Sequence, residues 1–278
     1  MNAGEKKNSI SKIFIYVTLI IISISIVYPF YYMVITALKH QSEYFGNIFG
    51  LPHKLTMLNF RVAIERFNVL LLGRNSLIVV SFSVFFNCAV SSMAAYSFSK
   101  LPFKGNKGIM NSILGCMIIP IQMLMIPVYI IISKAGLINT FASTILFYVA
   151  TGIPFATLML KIQCDNIPDE IIEAAEIDGT GPAKIFFTMI IPFLKPALIT
   201  LVILNFMGFW NELLYAMLFL QGPTKRTLTV EIATATGRFM TNIPLKMAGL
   251  LLNSIPTVLV FIFLQKYISK GLTLGAIK

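Results

Sequence analysis

The sequence predicts an all-α polytopic membrane protein with six transmembrane helices. Apolar residues make up 57% of the 278 positions and charged residues 12%, whereas soluble domains carry about 25% charged residues. A helix that crosses the bilayer needs about 20 mostly apolar residues. Windows that meet this requirement cover residues 13–38, 75–98, 108–132, 139–161, 196–220 and 247–268. They are too long and too continuously apolar to be strands of a membrane barrel.

The first window could be mistaken for an export signal, because Lys6, Lys7 and Lys12 precede it. A signal has an apolar core of about 7–15 residues and a small-residue cleavage site. This window is longer and ends in Thr-Ala-Leu-Lys without an A-x-A pattern. We interpret it as a retained anchor. The predicted organisation is a cytoplasmic N-terminal segment (1–12), a six-helix transmembrane domain (13–268) and a cytoplasmic C-terminal tail (269–278).

The net charge of +11 does not indicate a nucleic-acid-binding protein, because the basic residues are scattered among short loops. Such residues set membrane orientation and contact anionic headgroups. The three cysteines follow no disulfide or metal-ligand spacing, and the two histidines share one loop without a helical i, i+4 partner. We therefore expect neither a disulfide framework nor a metal site.

Six spans place both termini on one side of the membrane. With the N-terminus inside, twelve of the 22 Lys and Arg residues are internal and ten are external. This bias is small for the positive-inside rule, although the three lysines before the first window favour an internal N-terminus. In that orientation the loop at residues 162–195, here called the acidic loop, is cytoplasmic.

The acidic loop contains six of the eleven acidic residues of the chain and the stretch EAAEIDGTGPAKIFFTMIIPFLKP, residues 173–196. Pro168 suits the first turn of a short helix, and the acids after it lie at the positive end of the helix dipole. Ile171, Ala174 and Ala175 share one face of this helix, and Gly179 is placed to end it in a left-handed turn.

A second short helix is predicted to begin at Pro182, to break at Pro192 and to be followed by the fifth span at Pro196. Two short helices joined by an Asp-Gly turn would form a docking element with small residues and surrounding acids. On physical grounds alone, a plain solvated connector between two spans explains the pattern equally well.

The quoted stretch closely resembles the EAA loop of binding-protein-dependent ABC importer permeases. The segment NSLIVVSFSVFFNCAVSSMAAYSFSK resembles the second span of these permeases, and the tail GLTLGAIK resembles their C-terminus. IPVYIIISKAGLINT and FWNELLYAMLFL are similar to the carbohydrate-uptake branch, in particular to the shorter permease of maltose-type systems. The resemblance implies a type I ABC importer permease (MetI-like) fold in the inner membrane of a bacterium.

The resemblance also implies the partners. They are a second homologous permease, two cytoplasmic ATPase subunits that bind ATP and Mg, and an extracytoplasmic sugar-binding protein; this chain would bind no cofactor. The positions that match the ATPase-docking motif are Glu173, Ala174, Ala175, Asp178, Gly179, Ile191 and Pro192. Positions that would give a second ATPase contact in the tail are Gly271, Leu272, Thr273, Gly275 and Lys278.

Glu212 is the one acid inside a predicted span. An ionised side chain at the bilayer centre costs about 2.5–3.5 kcal/mol on insertion scales, so it should face protein or water. It either lines a solute pathway or pairs with a basic residue of the partner permease. Sugar sites combine aromatic faces with amides and carboxylates, and the candidates for the pathway are Asn205, Trp210, Asn211, Glu212 and Tyr215. Pro120, Pro127 and Pro256 interrupt spans, as moving bends or as static kinks.

Three functions compete. The first is a permease subunit that imports a sugar, or a non-sugar solute such as glycerol phosphate, driven by a separate ATPase. The chain has no Gly-Lys dipeptide and hence no P-loop. The second is an ion-gradient-driven secondary transporter, but that class usually shows internal repeats and several intramembrane carboxylates. The third, a membrane-embedded enzyme, lacks HExxH, GxSxG or an acid pair within a span.

Overall fold

All regular structure in the described part of the chain is helical. A computed structural model describes residues 3–235 and 242–273. The helices, numbered in chain order, are α1 (Ala3–Ala37), α2 (Gln41–Tyr44), α3 (Leu58–Arg66), α4 (Val69–Lys100), α5 (Asn106–Gly115), α6 (Met125–Lys134), α7 (Phe141–Asp165), α8 (Asp169–Ile177), α9 (Pro182–Asn211), α10 (Leu214–Phe219), α11 (Leu228–Ala235) and α12 (Ile243–Thr273).

Within this described part, five helices are long and apolar enough to cross a membrane, and a bent pair makes six if it forms one span. The pair is Asn106–Ile118 with Ile121–Lys134, whose axes differ by 95°. Pro120 lies at this break, as the sequence predicted. Pro127 and Pro256, which we also expected to interrupt spans, lie within continuous helices instead. Neighbouring helices and local adjustments can satisfy the backbone groups that a membrane proline frees.

The fifth span differs most from the prediction. Pro192 was expected to break a short helix and Pro196 to open the span, but α9 runs without interruption from Pro182 to Asn211. Within α9, residues Phe186–Ile190 form a π-helical turn that ends two residues before Pro192. A π turn already departs from i→i−4 bonding, so the N–H that proline lacks is not needed for a regular ladder there. The span also ends earlier than predicted, before Glu212.

The chain divides into two compact units, residues 1–69 with 234–252 and residues 70–233 with 253–278. In the first unit, Lys39 follows α1 and is fully buried. Its ammonium donates to the carbonyls of Asn47 and Ile48 at 2.6 and 3.1 Å. The Asn59 amide donates to the carbonyls of Ala37 and Lys39. The two Asn59 bonds satisfy carbonyls at and just beyond the C-terminal end of α1.

The second unit contains the acidic loop and the core beneath it. A cluster of buried residues joins α4, α7, α8 and α9, and includes Tyr96, Leu160, Ile172 and Ile185. A second cluster, around Phe147 and Tyr148, joins α4, α6, α7 and α10. Helix α9 therefore packs beneath α8 at one end and reaches the break at Glu212 at the other.

Candidate functional site

Helix α8 is held to the second unit by one face. Ile172 is the buried residue of this helix, and Ala175 packs partly buried against the same apolar cluster. Ile167, in the turn before α8, is buried in that cluster as well. We predicted that Ile171, Ala174 and Ala175 form one face. The structure instead buries Ile172, leaves Ile171 half-buried and exposes Ala174, because the face of α8 that packs on the core is centred on Ile172 and Ala175.

The turn after α8 has the geometry that the sequence predicted. Gly179 has a φ of 77°, in the left-handed region that glycine enters without steric cost. Its N–H donates to the carbonyl of Glu176, and the N–H of Thr180 donates to that of Ala175, both at 2.9 Å. This pair of bonds is the Schellman motif. The direction in which the chain leaves α8 for α9 is thereby defined by backbone hydrogen bonds.

The opposite face of α8 is exposed and carries both apolar and acidic groups. Ile177 is 86% exposed, the highest value among the exposed large hydrophobic residues of the described chain. Glu173, Ala174 and Asp178 are exposed beside it. The carboxylates of Glu173 and Asp178 make no hydrogen bond or ion pair with the side chains that the structure describes. This face can therefore accept an apolar contact and positive charge from another molecule.

The distal residues of the motif lie on α9 rather than on this exposed face. Ile191 packs partly buried against the cluster that contains Ile172, whereas Pro192 is exposed. Of the tail positions, the backbone of Gly271, Leu272 and Thr273 continues α12. Gly275 and Lys278 lie outside the described residues.

The predicted pathway residues do not form one lining surface. Asn205 is buried, and its amide donates to Asn87 Oδ1 on α4 at 2.8 Å. Asn87 in turn donates to the carbonyl of Val149 on α7 at 3.1 Å. This seam of amides joins three spans, and Gly152 permits it, because a Cβ there would lie 2.6 Å from Asn87 Nδ2.

Trp210 and Asn211 are neighbours with different surroundings. Trp210 is 2% exposed, stacks on Phe206 and donates its indole N–H to the carbonyl of Asn253 at 2.9 Å. Asn211 is exposed, and its amide donates to the carbonyl of Met207 in its own helix. A contact between these residues and a solute stays a prediction, and Asn211 has the accessibility that such a contact requires.

Glu212 occupies the break between α9 and α10, where its carboxylate is satisfied by this chain. It accepts hydrogen bonds from the backbone N–H groups of Tyr215 and Ala216 at 2.9 and 3.0 Å. The hydroxyl of Tyr148 on α7 donates to it at 2.8 Å. Tyr215 is buried, and its own hydroxyl donates to the carbonyl of Ile121. The acid thus caps α10 and joins it to α7.

Three important residues were missed from the sequence. Asn87 and Tyr148 lie in apolar windows, and the rule that polar groups inside a membrane seek partners could have identified Asn87. Lys100 contacts the turn before α8, as described below. No local signal marks Lys100, because its partners lie 67 and 69 residues away in the chain.

The described part of the chain has several helices of membrane-spanning length, with an exposed short helix between two of them. Residues 88–274 match the family described as "Binding-protein-dependent transport system inner membrane component", and the chain belongs to this family. The family membership expected from the EAA stretch is thereby confirmed.

Individual relatives cover nearly the whole chain. The melibiose/raffinose/stachyose import permease protein MelC of Bacillus subtilis is 35% identical over 90% of this chain and 91% of its own length. The trehalose/maltose transport system permease protein MalG of Thermococcus litoralis is 31% identical over 98% and 99%. A chain of a bacterial ABC transporter involved in the import of alginate matches with a TM-score of 0.82 at 21% identity, over 96% of this chain and 98% of that one, which supports the fold.

Proposed function

We propose that the chain is the transmembrane permease subunit of an ATP-binding-cassette importer for a sugar or oligosaccharide. Membership of the binding-protein-dependent family supports the importer class. Relatives named for melibiose, raffinose, stachyose, trehalose and maltose transport support a carbohydrate as the solute. ATP is hydrolysed by separate ATPase subunits, a second permease completes the membrane channel, and an extracytoplasmic protein delivers the solute.

The exposed face of α8 is the proposed docking surface for the ATPase. The observation that carries this proposal is the 86% exposure of Ile177 beside the carboxylates of Glu173 and Asp178, which no described side chain pairs with. A single exposed apolar side chain is ordinary on a protein surface, but Ile177 lies within the EAA stretch between acids and a small alanine, and this combination favours a docking surface. Small Ala174 allows a partner to approach closely, and the acids complement a basic groove.

The geometry also suggests how motion of the ATPase reaches the membrane. The Schellman turn at Gly179 joins α8 to α9, and α9 is one helical run from Pro182 to Asn211. A displacement of α8 is therefore transmitted to the fifth span through this one short turn, residues 178–181. In the proposed cycle, closure of the ATPase dimer displaces α8 and turns the pathway from inward-facing to outward-facing.

Glu173→Lys tests the docking surface. We expect normal membrane insertion but loss of the ATPase when the chain is purified after co-expression with the products of its neighbouring genes, because the reversed charge repels a basic groove. Glu65→Lys is the matched control, since Glu65 is an exposed acid on a helix outside the acidic loop. Equal ATPase recovery from both variants would contradict the proposal.

Orientation is tested separately by labelling Asp178→Cys, in a chain whose three native cysteines are replaced by serine, in intact cells and in inverted membranes. A cytoplasmic acidic loop predicts reaction with a membrane-impermeant maleimide in inverted membranes only. Reaction in intact cells would place α8 outside and rule out contact with a cytoplasmic ATPase.

A further inference from the structure

Lys100 is the last residue of α4, and its charged group is directed into the protein. The side chain is 6% exposed. The ammonium donates to the carbonyl of Ile167 at 2.6 Å and to Asp169 Oδ1 at 2.5 Å. A lysine is rarely buried to this degree without partners, and hydrogen bonds from a charged donor are the strong ones. The position of this side chain is therefore well defined.

The two acceptors of Lys100 lie on either side of the point where α8 begins. Ile167 belongs to the turn that follows α7, and Asp169 is the first residue of α8. The preceding residue of α4 contacts the last residue of α7, because Ser99 Oγ donates to Asp165 Oδ1 at 2.6 Å. Lys161 also pairs with Asp165, at 2.7 Å. The end of α4 thus contacts the last residue of α7, the turn that follows it and the first residue of α8, all of which are distant from α4 in the chain.

Other attachments of α8 to the described residues are few, and Ala175 is only partly buried against the core. Ile172 is its one buried residue, and its C-terminal end continues through the Schellman turn into α9. The N-terminal end is attached to α7 through the chain and to α4 through Lys100. Removal of this lysine would leave Ile172 as the main side-chain anchor, so α8 could pivot about the Gly179 turn.

We propose that Lys100 is a positioning residue that fixes the N-terminus of α8 to the second span, so that α4 moves together with α8. Its effect on transport rests on the function proposed above, whereas the attachment itself does not. The bond links α8 to α4, whereas the spans that adjoin α8 in the chain are α7 and α9. Three spans, α4, α7 and α9, would then respond to one docked helix.

Amide hydrogen exchange of the full chain in lipid nanodiscs tests the attachment directly. Loss of hydrogen bonds from a charged donor raises the equilibrium constant for local opening by about tenfold or more. In Lys100→Met we expect amides of α8 to exchange about tenfold faster, with amides of α4 and α7 unchanged. Lys100→Arg should restore slow exchange because guanidinium can reach both acceptors. Lys104→Met is the matched control, since Lys104 is exposed four residues later.

Asp169→Asn is a second variant, at an exposed position. It removes the charge of one acceptor and retains the hydrogen bond from Lys100 to the Ile167 carbonyl. It should accelerate α8 exchange less than Lys100→Met. Unchanged α8 exchange in Lys100→Met would overturn the proposal. Faster exchange throughout α4 and α7 would also overturn it, because the lysine would then stabilise the whole bundle.

The consequence for transport is measured in the complex with its ATPase. We expect Lys100→Met to retain the ATPase but to lower the amount of solute imported per ATP hydrolysed, and Lys100→Arg to restore the ratio. An unchanged ratio would overturn the transmission role. Failure of the docking proposal appears differently, as full ATPase recovery with Glu173→Lys, and leaves the exchange result unaffected.

Discussion

Substitution of Glu212 distinguishes a structural carboxylate from a solute contact. Glu212→Gln keeps the size of the side chain but replaces one acceptor oxygen by an NH₂ donor. The carboxylate accepts from three donors, two of them backbone N–H groups of α10. If the glutamine oxygen accepts from the N–H of Tyr215, the NH₂ group faces the N–H of Ala216. Two donors then meet, and neither can bond the other. Ala216 is fully buried, so its N–H has no access to water.

The expected cost follows from these contacts. Loss of a helix-capping acceptor costs about 0.5–2 kcal/mol, and a buried donor without a partner costs about 1–3 kcal/mol. Because one backbone bond survives, we expect about 1–2 kcal/mol of destabilisation for Glu212→Gln. Tyr148→Phe loses one bond between helices, worth about 0.6 kcal/mol in a membrane protein. Its ring keeps the stacking on Phe209, with centroids 4.9 Å apart.

The assay combines thermal stability in detergent with uptake kinetics of the assembled transporter. A destabilisation of 1 kcal/mol lowers the midpoint by about 2–4 °C in a chain of this size class. The double variant should be less destabilised than the sum of the single ones, because both remove the same bond. The KM for solute should stay within about twofold, because a carboxylate that only caps α10 contacts no solute. Loss of a solute contact worth about 1.4 kcal/mol would instead raise the KM about tenfold. Unchanged stability together with a tenfold higher KM would refute the capping role and identify Glu212 as a solute contact.

Two glycines give further predictions. Gly152→Ala should destabilise the protein by about 1–3 kcal/mol through overpacking, because the new Cβ meets Asn87 Nδ2 at 2.6 Å. Gly208→Ala is the control, since its Cβ would lie in open space. Equal melting temperatures of the two variants would contradict the amide seam. Gly179→Val should cost about 1–2 kcal/mol in a left-handed conformation and should reduce ATPase recovery, whereas Gly181→Val, at a φ of −72°, should not. Full recovery with Gly179→Val would argue against a defined α8 turn as the docking determinant.

Much of the helical architecture was predictable from local sequence. Six apolar windows identified the spans, because the hydrophobic thickness of a bilayer sets a minimum length for a helix. Gly179 could be assigned to a left-handed turn because residues with a side chain enter that region at a cost. The acidic loop was recognisable from its composition and from the spacing of its motif.

Other features depended on contacts that are distant in the chain. The same residue, proline, marks a 95° bend at Pro120 and lies within unbroken helix at Pro192, since its effect depends on whether neighbours satisfy the freed backbone groups. Glu212 was visible as an intramembrane acid, but its donors on α7 and α10 were not. The sequence alone therefore determined the class of protein, the long apolar helices and the exposed acidic helix. Only the tertiary structure decided which polar side chains hold the spans together, because each of these bonds depends on helices whose packing no local pattern specifies.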